Sequence, residues 1–148
     1  MTQKNRVPPA PKNGSLKNYS LPDKYGTWLG YEVLQVNSEK QEAKLGLDLR
    51  DDHLSPAGRI HGGVISGFFD FACGAAVFTT MAPEDFCSTV ELKVNYFYPL
   101  NSGDSLVCDA NVIFRGKRLS VVHALLYRND EKKPVAMATA TFNIVSKK

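Results

Sequence analysis

The sequence predicts an α+β domain in which an antiparallel sheet of about six strands wraps one long central helix. Three observations carry that expectation. One apolar segment with helical spacing, residues 61–82, stands in the middle of the chain. Two strand-like segments precede it and four follow, each set off by turn residues. A single helix cannot cover both faces of six strands, so the economical arrangement is a sheet curled around it.

The elements follow in order. Residues 1–20 are rich in Pro, Lys, Asn and Ser and cannot bury much, so a flexible tail is expected there and the domain is expected over 21–148. Residues 28–36 and 42–49 read as strands. In the second, Ala43, Leu45, Leu47 and Leu49 fall on one face. Residues 50–60 form a polar loop containing Pro56 and Gly58. In the helical segment Ile65, Phe68, Phe69, Ala72 and Ala76 make one apolar stripe, and Pro83 is expected to stop it. The remaining strands are expected over 88–97, 104–114, 119–128 and 135–145, with turns at Pro99–Gly103, Arg115–Lys117 and Asn129–Asp130. The last alternates, with Ala136, Ala138, Ala140 and Phe142 on one face.

Composition bounds the function. The chain has 148 residues, which suits one domain, and 43% of them are hydrophobic, enough for a real core. A net charge of +3 gives no case for nucleic-acid binding, but it allows a local basic patch for a phosphorylated ligand. The three cysteines are odd in number and no two are spaced as C-x-x-C, which reads as reduced thiols in a cytoplasmic protein. No apolar run reaches the length of a membrane helix, so membrane insertion is not expected, and the first fifteen residues lack the apolar stretch of a secretory signal. His53 and His123 have no partner spacing for a metal, and no metal site is expected.

The segment with chemical content starts at His61-Gly62-Gly63. The first turn of a helix has unpaired N–H groups carrying the positive end of its dipole, and glycines leave them open to a ligand. Such an end can hold a phosphate or polarise a carbonyl oxygen, or it can be a tight loop-to-helix entry with no ligand. Asp70 sits in the middle of an apolar helix, where Asp is a poor residue. At 3.6 residues per turn it shares a face with Gly63, Ser66, Gly67 and Gly74. Glycines inside a helix are unfavourable, so either something approaches that face closely or it packs on the sheet. His61 and Asp70 are nine residues apart, about 13 Å along the axis and on opposite sides of it. One chain cannot aim both at one small group. Two antiparallel helices from two chains can.

The run Ser55-Pro56-Ala57-Gly58-Arg59-Ile60-His61-Gly62-Gly63, followed by Asp70, resembles the motif of the hotdog-fold thioesterase superfamily. More narrowly it is similar to PaaI-like acyl-CoA thioesterases, whose pattern is N-x-x-G-x-x-H-G-G with an acidic residue nine positions after the His. Val94-Asn95-Tyr96-Phe97-Tyr98-Pro99 and the basic turn Phe114-Arg115-Gly116-Lys117-Arg118-Leu119 resemble later parts of the family over about residues 25–146. The resemblance implies a hotdog fold and roles for particular residues. The Gly62 N–H polarises the thioester carbonyl, with Gly63 beside it, and His61 orients the loop. Asp70 of a partner chain acts as nucleophile or general base. Ser88, or Thr89 beside it, helps place the attacking water. Arg115, Lys117 and Arg118 contact CoA phosphates, unless they form an ordinary solvated hairpin tip. Ser55 stands where the family commonly has Asn, and its hydroxyl can still hydrogen-bond.

The implied reaction is hydrolysis of an acyl or aryl thioester to acid and CoA, in a homodimer or a dimer of dimers. It needs no cofactor, since CoA is part of the substrate. The competing reading is a hotdog protein that binds acyl-CoA as a sensor without turning it over, against which Asp70 argues. The Asp and His spacing of hydratase-type hotdog enzymes is not present.

Overall fold

A computed structural model describes residues 23–146. The tail expected over 1–20 lies outside the described residues. The described chain is an α+β domain with a six-stranded antiparallel sheet and one long helix, as the sequence predicts.

The first element corrects the reading of residues 28–36. Lys24–Leu29 is a short helix, α1, and strand β1 begins only at Glu32 (Glu32–Asn37). The cause is local. The Asp23 carboxylate accepts from the Gly26 N–H at 2.9 Å as N-cap, and Gly30, at φ 88°, closes the far end in the left-handed conformation. Strand β2 (Glu42–Asp48) pairs with β1, and its alternate residues Ala43, Leu45 and Leu47 are buried, as is Leu49 just beyond it. A 3-10 turn over Asp51–His53 and a tight turn from Ser55 to Gly58 lead to helix α2 (Gly62–Phe78).

Helix α2 ends four residues before the expected residue 82. The Thr79 and Thr80 hydroxyls donate to the Ala76 and Val77 carbonyls at 2.6 and 2.7 Å. Those bonds satisfy carbonyls that the next turn would have used, so the helix stops before Pro83 can act. The predicted stripe of Ile65, Phe68, Phe69, Ala72 and Ala76 is fully buried, and so are Val64, Cys73 and Val77. The side carrying Gly63, Ser66, Gly67 and Asp70 keeps access to solvent.

Strands β3 (Phe86–Tyr96), β4 (Ser105–Arg115), β5 (Leu119–Arg128) and β6 (Pro134–Val145) complete the sheet in the order β1-β2-β4-β5-β6-β3. Ala136, Ala138, Ala140 and Phe142 of β6 are buried on the helix side, as their alternation predicts. β3 is an edge strand, paired only with β6. Two bulges set which side chains turn inward near the ends of α2. In β3 the register shifts between Thr89 and Glu91, so that Cys87, Thr89, Leu92 and Val94 all stand opposite inward residues of β6. In β4 the shift between Val112 and Phe114 brings Arg115 opposite the buried Ser120.

Candidate active site

The candidate residues stand at two places on α2, at its first turn and at its middle. At the start of α2, His61 is the N-cap, and its Nδ1 accepts from the Gly63 N–H at 2.8 Å. With Nδ1 as acceptor, a neutral ring carries its proton on Nε2. The His61 backbone N–H donates to His53 O at 2.9 Å, which ties the entry loop down. The Gly62 N–H has no hydrogen-bond partner among the described residues, while the Gly62 carbonyl accepts from the Tyr96 hydroxyl at 2.9 Å. Gly62 also lines a groove of about 400 Å³ between the entry loop and the end of β3, together with residues such as Ile60, Ile65, Tyr96 and Tyr98. Its walls are mostly apolar and aromatic, and Asp70 is not among them.

Two turns further on, the Thr89 hydroxyl donates to Asp70 Oδ1 at 2.7 Å. This bond holds Oδ1, and Oδ2 has no hydrogen-bond partner among the described residues. Thr89 reaches Asp70 because the bulge in β3 holds it on the helix side opposite Phe142. Ser88 stands opposite Asn143 and faces away from the helix. Of the two candidates at this position, it is Thr89 that meets Asp70 within the chain.

The glycines of the Asp70 face have identifiable neighbours. A Cβ on Gly67 would collide with the Tyr25 hydroxyl and come within 3.1 Å of its ring, so Gly67 makes room for α1. A Cβ on Gly74 would meet Phe142 at an ordinary 3.7 Å. The close approach anticipated at this face is thus made, at least at Gly67, by the protein's own aromatic side chain. Tyr25 stacks on Phe71 (5.6 Å) and on Trp28 (6.2 Å), and burial together with the Asp70 and Asp23 carboxylates pushes its hydroxyl pKa up. It therefore stays protonated.

α1 is held in place from below. Buried His53 contacts Leu29 O through Nε2 at 3.1 Å, and its Nδ1 accepts from the Arg50 N–H at 3.2 Å. That pairing fixes a neutral ring protonated at Nε2. Burial, then the Arg50 charge, lowers the His53 pKa. Arg50 also donates to Leu29 O at 2.8 Å and to Trp28 O, and its guanidinium lies 5.5 Å from the Trp28 ring centre.

The remaining predicted residues fall elsewhere. Ser55 shapes the entry turn through its backbone, accepting from Gly58 N at 2.9 Å, and its hydroxyl has no partner among the described residues. Arg115 is not a free hairpin-tip cation: Nε donates to Thr80 Oγ1 at 2.9 Å and the guanidinium bonds Gly116 O. It lies at the negative end of α2, where a cation is favourable. Lys117 and Arg118 are exposed. Cys73 and Cys108 are buried and Cys87 half-buried, all as free thiols, with Cys87 pushed up to about 11 by burial and by Asp70. Among the described residues no His, Cys, Asp and Glu group is placed to hold a metal, and no helix is long and apolar enough to cross a membrane.

Tyr25 carries no signal in the motif, and Tyr96 enters the sequence reading only within the run Val94–Pro99, with no role of its own. Tyr25 was findable only through α1, from the Asp23 cap and the Gly30 stop with Tyr25 and Trp28 three residues apart between them.

The sheet wrapped on one long helix, with a glycine-started helix and a mid-helix carboxylate, defines the hotdog class. The chain belongs to the thioesterase superfamily, whose family pattern matches residues 57–135. A point mutant of the phenylacetic acid degradation protein PaaI from Thermus thermophilus aligns with a TM-score of 0.73 at 26% identity, covering 82% of this chain and 98% of that one. A thioesterase family protein from Silicibacter pomeroyi aligns at 0.78 and 26% identity, over 88% and 96%. A Saccharolobus solfataricus protein named as a candidate esterase is 34% identical over 66% of this chain and 57% of its own length. A Caenorhabditis elegans protein of similar name is 27% identical over 74% and 64%. The match thus spans less than two thirds of either of these two relatives.

Proposed function

We propose that this chain is an acyl-CoA thioesterase that hydrolyses an acyl or aryl thioester to free acid and CoA, working as a homodimer with composite sites. The observation that carries the reading is the pairing of Asp70 with Thr89, which holds a solvent-accessible carboxylate with one oxygen free for chemistry. Asp70 acts there as nucleophile or general base. The unpartnered Gly62 N–H supplies the donor for the carbonyl oxygen as it becomes negative, with His61 and Gly63 holding the turn that presents it. Ser55 belongs to the entry turn that precedes it.

The two halves are eight residues apart on α2, about 12 Å along its axis. The groove at Gly62 excludes Asp70, so one chain does not bring them together. An antiparallel second α2 would bring its Asp70 to the first chain's Gly62, and symmetry would make two sites. The edge strand β3, eleven residues long and unpaired on one side, suits a second copy. Lys117 and Arg118 lie on the hairpin whose Arg115 touches Thr80, just beyond the end of α2, which is itself eight residues and about 12 Å from Asp70, a reach compatible with CoA phosphates. The fold and the thioesterase relatives support the same reaction class.

The test is a screen of the pure protein against short, long and aromatic acyl-CoAs, read as release of free CoA thiol. Release well above the buffer rate supports hydrolysis; binding without release supports an acyl-CoA sensor instead. Composite sites are tested by mixing Asp70→Asn with Gly62→Val. After subunit exchange a mixed dimer holds one intact site and regains activity. Exchange seen by native mass without any regain refutes shared sites.

A further inference from the structure

We propose that Tyr25 is a specificity-determining residue: its ring, docked over the bare backbone of Gly67 beside Asp70, closes one end of the acyl site and restricts the enzyme to compact acyl groups. The inference rests on the thioesterase reading and adds to it the class of acyl group.

In that reaction the thioester carbon must come to the free oxygen of Asp70 or to a water held by it. The acyl group starts at that carbon and can run along the solvent-accessible side of the α2 that carries Asp70. That side is short. Gly67 is one turn before Asp70 on the same face, and neighbours at this spacing are about 5–6 Å apart. The space a Cβ would take at Gly67 is already filled by the Tyr25 hydroxyl and the ring edge behind it. A chain leaving Asp70 in this direction meets Tyr25 within a few bonds.

The obstruction is braced. Tyr25 is stacked on Phe71 of α2 and on Trp28 of α1, and Phe71 in turn stacks on Tyr31 at 4.4 Å. The end of α1 is bonded to buried His53 and to Arg50. Yet Tyr25 remains 48% exposed, so the ring presents a free surface to whatever occupies the site. In any dimer it accompanies its own Asp70, and each site contains one such wall.

The experiment compares butanoyl-CoA, dodecanoyl-CoA and benzoyl-CoA as substrates for the full chain and for Tyr25→Ala, reading kcat/KM for each. The natural protein is expected to favour butanoyl-CoA and benzoyl-CoA over dodecanoyl-CoA. Tyr25→Ala should raise the dodecanoyl-to-butanoyl ratio by about tenfold or more, since each methylene admitted to an apolar pocket is worth roughly that factor. If Tyr25→Ala does not fold by circular dichroism, Tyr25→Leu keeps an apolar contact on Phe71 while shortening the wall, and should move the ratio in the same direction. An active variant with an unchanged ratio overturns the gate and leaves the thioesterase reading standing. No hydrolysis of any acyl-CoA by the natural protein overturns that reading and the gate with it.

Discussion

Replacing Asp70 by Asn isolates the chemistry from the architecture. The amide has nearly the same shape, and its oxygen can still accept the Thr89 hydroxyl that now bonds Oδ1 at 2.7 Å. The side chain is half-buried on the open side of α2, so stability should change by no more than about 0.5 kcal/mol. What disappears is the capacity to attack a carbonyl or take a proton from water. Losing a positioned base costs about a hundredfold to ten-thousandfold in rate. At 1.36 kcal/mol per decade that is roughly 3–5 kcal/mol of barrier. The assay is thiol release from acyl-CoA with a colorimetric reagent. The protein's own thiols should contribute little background. Cys73 and Cys108 are buried, and Cys87, with a pKa of about 11, has about one thiolate in a thousand molecules at pH 8. A folded Asp70→Asn protein with turnover within about threefold of the original would remove Asp70 from the reaction and refute the reasoning.

The basic hairpin divides into two functions. Lys117→Ala with Arg118→Ala should raise KM for acyl-CoA and leave kinetics on a truncated thioester lacking the nucleotide unchanged, whereas Arg115→Ala should lower the melting temperature, because it loses the bond to Thr80 at the end of α2. The two helix glycines should respond in opposite ways. Gly74→Ala, with Phe142 at 3.7 Å, should gain up to about 1 kcal/mol in thermal unfolding, while Gly67→Ala displaces Tyr25 and should alter the fluorescence of Trp28, the single tryptophan. His53 should make stability depend on pH. Its folded pKa is below the ordinary 6.5, so the neutral form is the one favoured in the folded state. The contribution is complete above about pH 6.5 and is lost as pH falls from there through the folded value. His53→Gln should flatten that slope in melting curves taken from pH 5 to 8, and an unchanged slope would rule His53 out as its source.

How far the sequence speaks depends on the range of the interaction. Strand β5 is read over its observed span, Leu119–Arg128, because alternation and flanking turns are local signals. The buried stripe of α2 is legible for the same reason. α1 is not, since six residues give less than two turns of periodicity, and the residues Tyr31, Val33, Leu34 and Val36 after Gly30 extend a strand-like reading back over it. The end of α2 is missed because Pro83 is a louder signal than two threonine hydroxyls turning back on Ala76 and Val77. In the site, Asp70 stands out as a lone carboxylate among apolar neighbours. Thr89 and Ser88 cannot be separated without the bulge at Val90, because strict alternation says nothing about where it slips. Arg115 looks like its neighbours Lys117 and Arg118 until the second bulge turns it inward.

The bulge in β3 makes the strand a message with a frame. Thr89 is in phase with Cys87 before Val90, and Leu92 is in phase with Val94 after it. Val90, 61% exposed, contributes nothing to the core, and the bulge takes it up as a counted residue with no partner of its own on β6. In a strand without the bulge, that extra residue would put the two halves out of phase. Either Thr89 would face away from Asp70, or Leu92 and Val94 would turn outward with Glu91 and Lys93 brought in. Deleting Val90 would instead leave Thr89 opposite Phe142, Glu91 opposite Thr141 and Leu92 opposite Ala140 in one unbroken register. Substitutions at Val90 and its loss should therefore both be accepted across descendants of this sequence. The frame is kept by the bulge, and the residue inside it is the one part of the strand that the frame does not need.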